Sequence, residues 1–194
     1  MSFLDTRRFG NVHVARRTFL SVGGMGLSGT AVALLAGRDT LAAMSEKSVD
    51  PASDIVILNS ALAAELEAIA AYGVGAGSGL LKGAVLSLAT TFQGHHKQHA
   101  DVLASTVTRL GGKAAVAKAQ YSFPVETLKT QNDVLRFAAG LEKGAVSAYL
   151  GAVPLFKDRD LSKAAASILG DEAMHWAVLR QAIGEEPVPA AFVS

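Results

Sequence analysis

The sequence predicts an all-α protein: an antiparallel four-helix bundle made of two helical hairpins joined by one long crossover. Two observations predict it. First, one pattern of ionisable residues occurs twice, about 77 residues apart: Glu65, then Tyr72, then His96-x-x-His99, against Glu142, then Tyr149, then Glu172-x-x-His175. The flanks repeat with it, Glu65-x-x-Ala68-Ile69-x-Ala71-Tyr72 matching Glu142-x-x-Ala145-Val146-x-Ala148-Tyr149, and His99-x-x-Val102-Leu103 matching His175-x-x-Val178-Leu179. Second, the connections are unequal. The link inside each copy is short, which makes antiparallel neighbours. Residues 111–131 between the copies form a long connection containing Pro124. No stretch sustains the alternation of a half-buried strand.

The elements follow in order. The first helix is expected from about Asp54 to Gly77, started by Asp50-Pro51 or Ser53 and stopped by Gly73, Gly75, Gly77 and Gly79. The second runs from about Leu80 to Leu110, where Gly111-Gly112 ends it. The third begins near Asn132-Asp133 and ends about Pro154. Asp160 is a good N-cap for the fourth, which ends at Ile183 before Gly184. This places the bundle at residues 54–184 and an irregular tail with Pro187 and Pro189 at 185–194.

Composition narrows the function. Half of the 194 residues are apolar and few are aromatic, which suits close-packed helices. There is no Cys, which excludes disulfides, thiolate metal sites and Cys-based catalysis. The net charge of +1 is unevenly spread: residues 1–42 hold Arg7, Arg8, Arg16, Arg17 and Arg38 against Asp5 and Asp39. The remainder carries 13 basic and 15 acidic residues with no basic stripe, so no nucleic-acid partner is expected.

At the start, Arg16-Arg17-Thr18-Phe19-Leu20 leads into an apolar, Gly-rich run to Gly37, and Ala42 and Ala43 offer small residues for cleavage. This resembles a twin-arginine signal peptide over residues 1–43, followed by a linker at 44–53. The resemblance implies export of the folded protein to the periplasm. A membrane contact is expected only through an uncleaved leader.

Helical spacing gives the repeat its chemistry. Positions three, four or seven apart share a helix face. His96 with His99, Glu172 with His175, Glu65 with Tyr72 and Glu142 with Tyr149 therefore form polar points on stripes that are otherwise Ala, Ile, Leu and Val. A buried carboxylate on such a stripe is costly unless it is paired or metal-bound. Four helices contributing Glu and x-x-His groups is how a bundle builds a two-metal carboxylate site. Carboxylate with imidazole suits iron, manganese or zinc. Four of the five His lie within or beside the two motifs; the fifth, His13, is in the leader. The hydroxyls of Tyr72 and Tyr149 are expected to bond ligand carboxylates, and Asp101 and Asp171 to support ligating imidazoles.

Leu62-Ala-Ala-Glu65-Leu-Glu-Ala-Ile69-Ala-Ala-Tyr72, Lys97-Gln-His99-Ala-Asp101 and Ile168-Leu-Gly-Asp171-Glu172-Ala-Met-His175 resemble the first, second and fourth helices of bacterioferritin- and rubrerythrin-type proteins of the ferritin-like superfamily. The resemblance covers about residues 54–184. It implies a ferritin-like bundle with Glu65 and Glu142 as terminal ligands, Glu172 as a bridge, and His99 and His175 each on one metal. It implies iron as cofactor, dioxygen or peroxide as oxidant, a role in oxidative or metal stress, and room for a homo-oligomer. His96 breaks the pattern, standing where the family has a second bridging Glu. Three outcomes stay open: two metals with one carboxylate bridge, one tight and one weak metal, or iron chemistry lost. His95, four residues before His99, also reaches toward that face; the repeat favours His96. The rival reading is a non-enzymatic metal-binding or structural stress protein.

Overall fold

The computed structural model describes residues 51–193, so the expected leader lies outside the described residues. Four helices account for most of them: α1 Pro51–Gly77, α2 Gly83–Arg109, α3 Gln131–Ala152 and α4 Arg159–Ala182. Single 3-10 turns occupy Val125–Thr127 and Val153–Leu155. No strand occurs among the described residues. α1 packs along α2 and α3 along α4, and α1 also meets α3. The architecture is the expected pair of hairpins with one crossover.

Helix ends differ from the sequence reading where tertiary contacts take over. α1 ends at Gly77 as expected and runs through Gly73 and Gly75 on the way. A Cβ on Gly73 would lie 3.2 Å from Gln93 Nε2 and one on Gly75 3.2 Å from Val134 Cγ1, so these glycines serve close packing. α2 begins at Gly83, not Leu80, because Leu81 is drawn out of helical register into the core. Asp158, not Asp160, caps α4: its carboxylate accepts the backbone N–H groups of Asp160 and Leu161. Thr130 and Asp133 form a reciprocal capping box at the start of α3. Each exchange satisfies N–H groups that a helix start leaves without partners.

Gly111-Gly112 ends α2 for two separate reasons. Gly111 takes φ +83°, the left-handed conformation of a Schellman stop, with its N–H on Thr108 and that of Gly112 on Val107. At Gly112 the limit is space, since a Cβ there would sit 2.8 Å from Ile55 Cγ2. The crossover then lies along α1, where Asn59 receives the N–H of Ala115 at 2.7 Å and donates to the carbonyl of Lys113 at 3.0 Å. Asp54, 1% exposed, accepts the N–H groups of Lys157 and Asp158, both at 2.9 Å, which ties α1 to the start of α4.

The interior has two apolar layers. One gathers Leu58, Leu62, Leu103, Val107, Leu161 and Ile168; the other gathers Leu81, Phe92, Val134, Leu135, Ala139 and Leu179. Together they belong to all four helices, so the sequence between the two layers on each helix is held in the middle of the bundle. Those stretches contain Glu65, His96, Glu142 and Glu172. Length and composition alone would let Ala52–Gly77 cross a membrane. In the bundle its Leu58, Leu62, Glu65 and Tyr72 are buried instead.

Candidate metal centre

Each helix contributes to one buried polar cluster: Glu65 from α1, His96 and His99 from α2, Glu142 from α3, and Glu172 and His175 from α4. All but His99 are at most 2% exposed. His96 lies across the middle. Its Nδ1 is 2.8 Å from Glu65 Oε2 and its Nε2 is 3.3 Å from Glu142 Oε1. His99 turns Nδ1 to Glu172 Oε1 at 3.1 Å, and His175 turns Nδ1 to Glu172 Oε2 at 3.2 Å. The outer nitrogens of both rings face Asp171 Oδ2, His99 Nε2 at 3.4 Å and His175 Nε2 at 3.3 Å. Both imidazoles thus keep Nδ1 for the centre and Nε2 for a supporting carboxylate.

The tyrosines cross between hairpins. Tyr149 donates to Glu65 Oε1 at 2.6 Å, and Tyr72 donates to Glu142 Oε1. Each carboxylate is therefore oriented by the tyrosine of the other copy of the repeat.

The ligand atoms fall into two overlapping sets, each with its atoms within 4.8 Å of one another: Glu65, His96, His99, Glu172, and His96, Glu142, Glu172, His175. Glu172 and His96 belong to both. Among the described residues, three buried polar atoms lack a well-directed hydrogen bond: His99 Nδ1 and Glu172 Oε1, which face each other at 3.1 Å, and Glu142 Oε2. Native interiors leave few such atoms, and each costs ~1–3 kcal/mol. All three belong to these sets and would be satisfied by cations. On this observation the residues fit a two-cation site.

Without a cation the cluster balances its own charge. Burial opposes the charge on His96, but hydrogen bonds with Glu142 and Glu65 raise its pKa to about 9. Burial likewise opposes charge on His99 and His175. Asp171 with Glu172 holds the former, and Asp171 with Glu142 the latter, at about 11. Burial pushes the Glu65 and Glu142 carboxyls up, yet hydrogen bonds from the imidazoles bring both below the ordinary carboxylate range. Glu172 goes the other way: burial and the neighbouring Glu142 and Glu65 raise it. Burial and the facing carboxylates push both tyrosines well above their usual value, so they stay protonated donors.

The six expected ligand positions come together, with Tyr72, Tyr149 and Asp171 in contact with them. Asp101 does not join. It is exposed, because two residues after His99 it has turned ~200° away from the ligand face. Between the two candidates at the break, His96 is inside. His95 sits at the margin, its Nδ1 2.8 Å from His175 Nε2 and 3.3 Å from Asp171 Oδ2. Phe92, which carried no signal in the sequence, stacks on His175 with ring centroids 4.0 Å apart.

A groove of about 700 Å³ runs between α1 and α3, walled mainly by Ala61, Ala64, Ala68, Gly144, Ala145 and Ala148. Glu65, His96 and Glu142 also line it.

Comparison with known proteins agrees with the fold. The chain is similar to the crystal structure of a conserved hypothetical protein, rv2844, from Mycobacterium tuberculosis, at 25% identity and a TM-score of 0.64 over 74% of this chain and 99% of that one. No curated protein matches it significantly. Residues 53–185 match the family described as Ferritin-like domain, which spans all four helices and every residue of the cluster; the chain belongs to the ferritin-like domain family.

Proposed function

We propose that the protein is an exported di-metal protein, with iron as its metal, that oxidises Fe(II) with dioxygen or peroxide in oxidative or metal stress protection. The observation that carries it is the pair of overlapping ligand sets, sharing Glu172 and His96, with three buried atoms that lack a well-directed hydrogen bond turned into them. When bound, the iron ions supply the electrons that reduce the oxidant. The rest is the work of the chain. Glu65 and Glu142 are terminal ligands, held in orientation by Tyr149 and Tyr72. Glu172 faces both halves. His99 and His175 offer Nδ1, with Asp171 fixing their outer nitrogens. The two apolar layers exclude water, so the carboxylates attract a cation more strongly than they would in solvent. Export rests on the Arg16-Arg17 leader.

One observation favours a second reading, a stress or structural protein without turnover. His96 places a cationic ring between Glu65 and Glu142. That ring supplies part of the charge balance that metal would bring. Its two nitrogens face different halves, but a neutral imidazole has one lone pair, so it would serve one half or the other as a terminal ligand and could not replace a bridging carboxylate.

Anaerobic addition of Fe(II) to the full-length chain, followed by air, separates the readings. Two Fe(II) per chain, with oxygen uptake and Fe(III) absorption, supports the oxidase. Bound Fe(II) without oxygen uptake supports the second reading. A folded chain that takes up no metal overturns the di-metal reading and leaves the second in its structural form.

A further inference from the structure

Beside the centre, a second set of ligand atoms stands at the surface. His95 Nδ1, Asp171 Oδ2 and His175 Nε2 lie within mutual reach: 2.8 Å between the two nitrogens and 3.3 Å from each nitrogen to the oxygen. Around an ion with bonds of ~2.1 Å, adjacent ligand atoms are separated by about 3.0 Å, so the three already outline one face of a coordination shell. Two imidazoles and one carboxylate with open positions is a donor set for a first-row divalent ion such as Fe(II) or Zn(II), and not for the oxygen-seeking Mg(II) or Ca(II). The arrangement is held in place. Phe92 stacks on His175, and the His95 ring stacks on His175 with centroids 5.1 Å apart and lies tilted by 37° to Phe92 at 6.3 Å.

Exposure grades inward. The side chains of His95, Asp171 and His175 are 38%, 25% and 2% exposed. His175 is common to this set and to the centre, with Nε2 outward and Nδ1 inward. A neutral imidazole has one lone pair in its ring plane, so it binds an ion through one nitrogen at a time.

We propose that His95, Asp171 and His175 form an outer divalent-cation site through which metal is loaded into the buried centre. An ion taken from solvent binds His175 Nε2 while Nδ1–H points to Glu172. Transfer inward exchanges the two: the ion moves to Nδ1, and Nε2 regains a proton shared with Asp171. Outer and inner occupancy of His175 are therefore alternatives, which makes the outer site a station and not a store. Only the loading role rests on the proposed centre; the outer binding does not.

The test uses Co(II) under anaerobic conditions on the full-length chain, reading visible absorption and ions bound by equilibrium dialysis. Glu65→Gln/Glu142→Gln/Glu172→Gln removes the inner carboxylates. It is expected to keep one Co(II) per chain, which His95→Ala then abolishes. His95→Ala alone is expected to slow uptake into the centre ~10–100-fold while final content is unchanged. If the triple variant is folded and binds none, or keeps its ion without His95, the outer site is overturned. An unchanged uptake rate in His95→Ala overturns the loading role, and decides the matter if the triple variant does not fold. A wild-type chain that binds a single ion, lost with His95→Ala, keeps the outer site and sinks the centre.

Discussion

Tyr149, on the second hairpin, donates its hydroxyl hydrogen to Glu65 on the first, 2.6 Å away and out of contact with solvent. Tyr72 and Glu142 make the reciprocal bond. These two bonds hold the carboxylates still whether or not a metal is present. Tyr149→Phe leaves a buried charged oxygen without its donor, and is expected to lower stability by ~1.5–3 kcal/mol in urea unfolding of the metal-free chain. It is also expected to weaken metal binding ~10-fold or more. A change within error in both measurements would mean that the bond does not orient Glu65.

Glu172 faces both halves of the centre, whereas Asp101 faces solvent. Glu172→Ala is expected to empty the centre after anaerobic reconstitution, leaving at most the one ion that the outer site keeps. Asp101→Ala is expected to retain the wild-type content. Elemental analysis of the two variants side by side decides this, and equal loss in both would contradict the geometry.

The metal-free chain should weaken as pH rises. His96 has a folded pKa of about 9, above the ordinary 6.5. Its contribution is therefore complete below about 6.5 and disappears as pH rises through about 9. His99 and His175, at about 11, extend the loss further into alkali. On the acid side, Glu65 and Glu142 titrate below the usual 4.5, so their contribution is lost as pH falls through that region. Thermal midpoints of chelator-treated protein are expected to be highest between about pH 5 and 6.5 and to fall by several degrees toward pH 9. A flat or rising midpoint over that alkaline range would contradict the charge assignment.

Metal must displace the same protons. Loading near pH 7 is expected to release about one proton or more per ion, read with an indicator dye in weak buffer, and apparent affinity is expected to rise with pH. Binding without proton release would place the ion away from these imidazoles.

The two glycines after α2 should fail differently. Gly111→Ala forces a side chain into φ +83° and is expected to cost ~1–2 kcal/mol. Gly112→Ala presses on Ile55 and Val107 and is expected to cost ~1–3 kcal/mol by overpacking. Ile55→Ala removes the Cγ2 atom that the new Cβ would meet, so in that background the second substitution should become cheaper and the first stay unchanged, as denaturant midpoints will show.

The repeat made the ligand positions legible, because four helices with the same two-turn spacing leave one register in which their polar points meet. It also selected His96 over His95 at the point where the copies differ. Asp101 was misleading because nearness in sequence to His99 says nothing about rotation around the helix. The marginal cluster was not legible either: it needs α2 and α4 side by side, and no spacing in the chain links His95 to Asp171. Helix ends followed a similar division. Gly111 and Gly184 stop their helices by a local backbone preference that sequence reveals. Leu81 and Asp54 act through distant partners, so the start of α2 and the tie between α1 and α4 emerge only from packing.

The groove between α1 and α3 gives the centre a wall with the character of a solvent. Its Ala and Gly lining is a small hydrocarbon phase that reaches Glu65, His96 and Glu142. A neutral, weakly hydrated molecule such as dissolved oxygen gains by partitioning into such a phase. A hydrated cation must shed water to enter it, and short of the centre the side chains of the lining offer oxygen only at Ser60 and Glu67. The two classes of solute thus meet opposite free-energy slopes at this wall. The protein sorts them by polarity before either one meets a ligand.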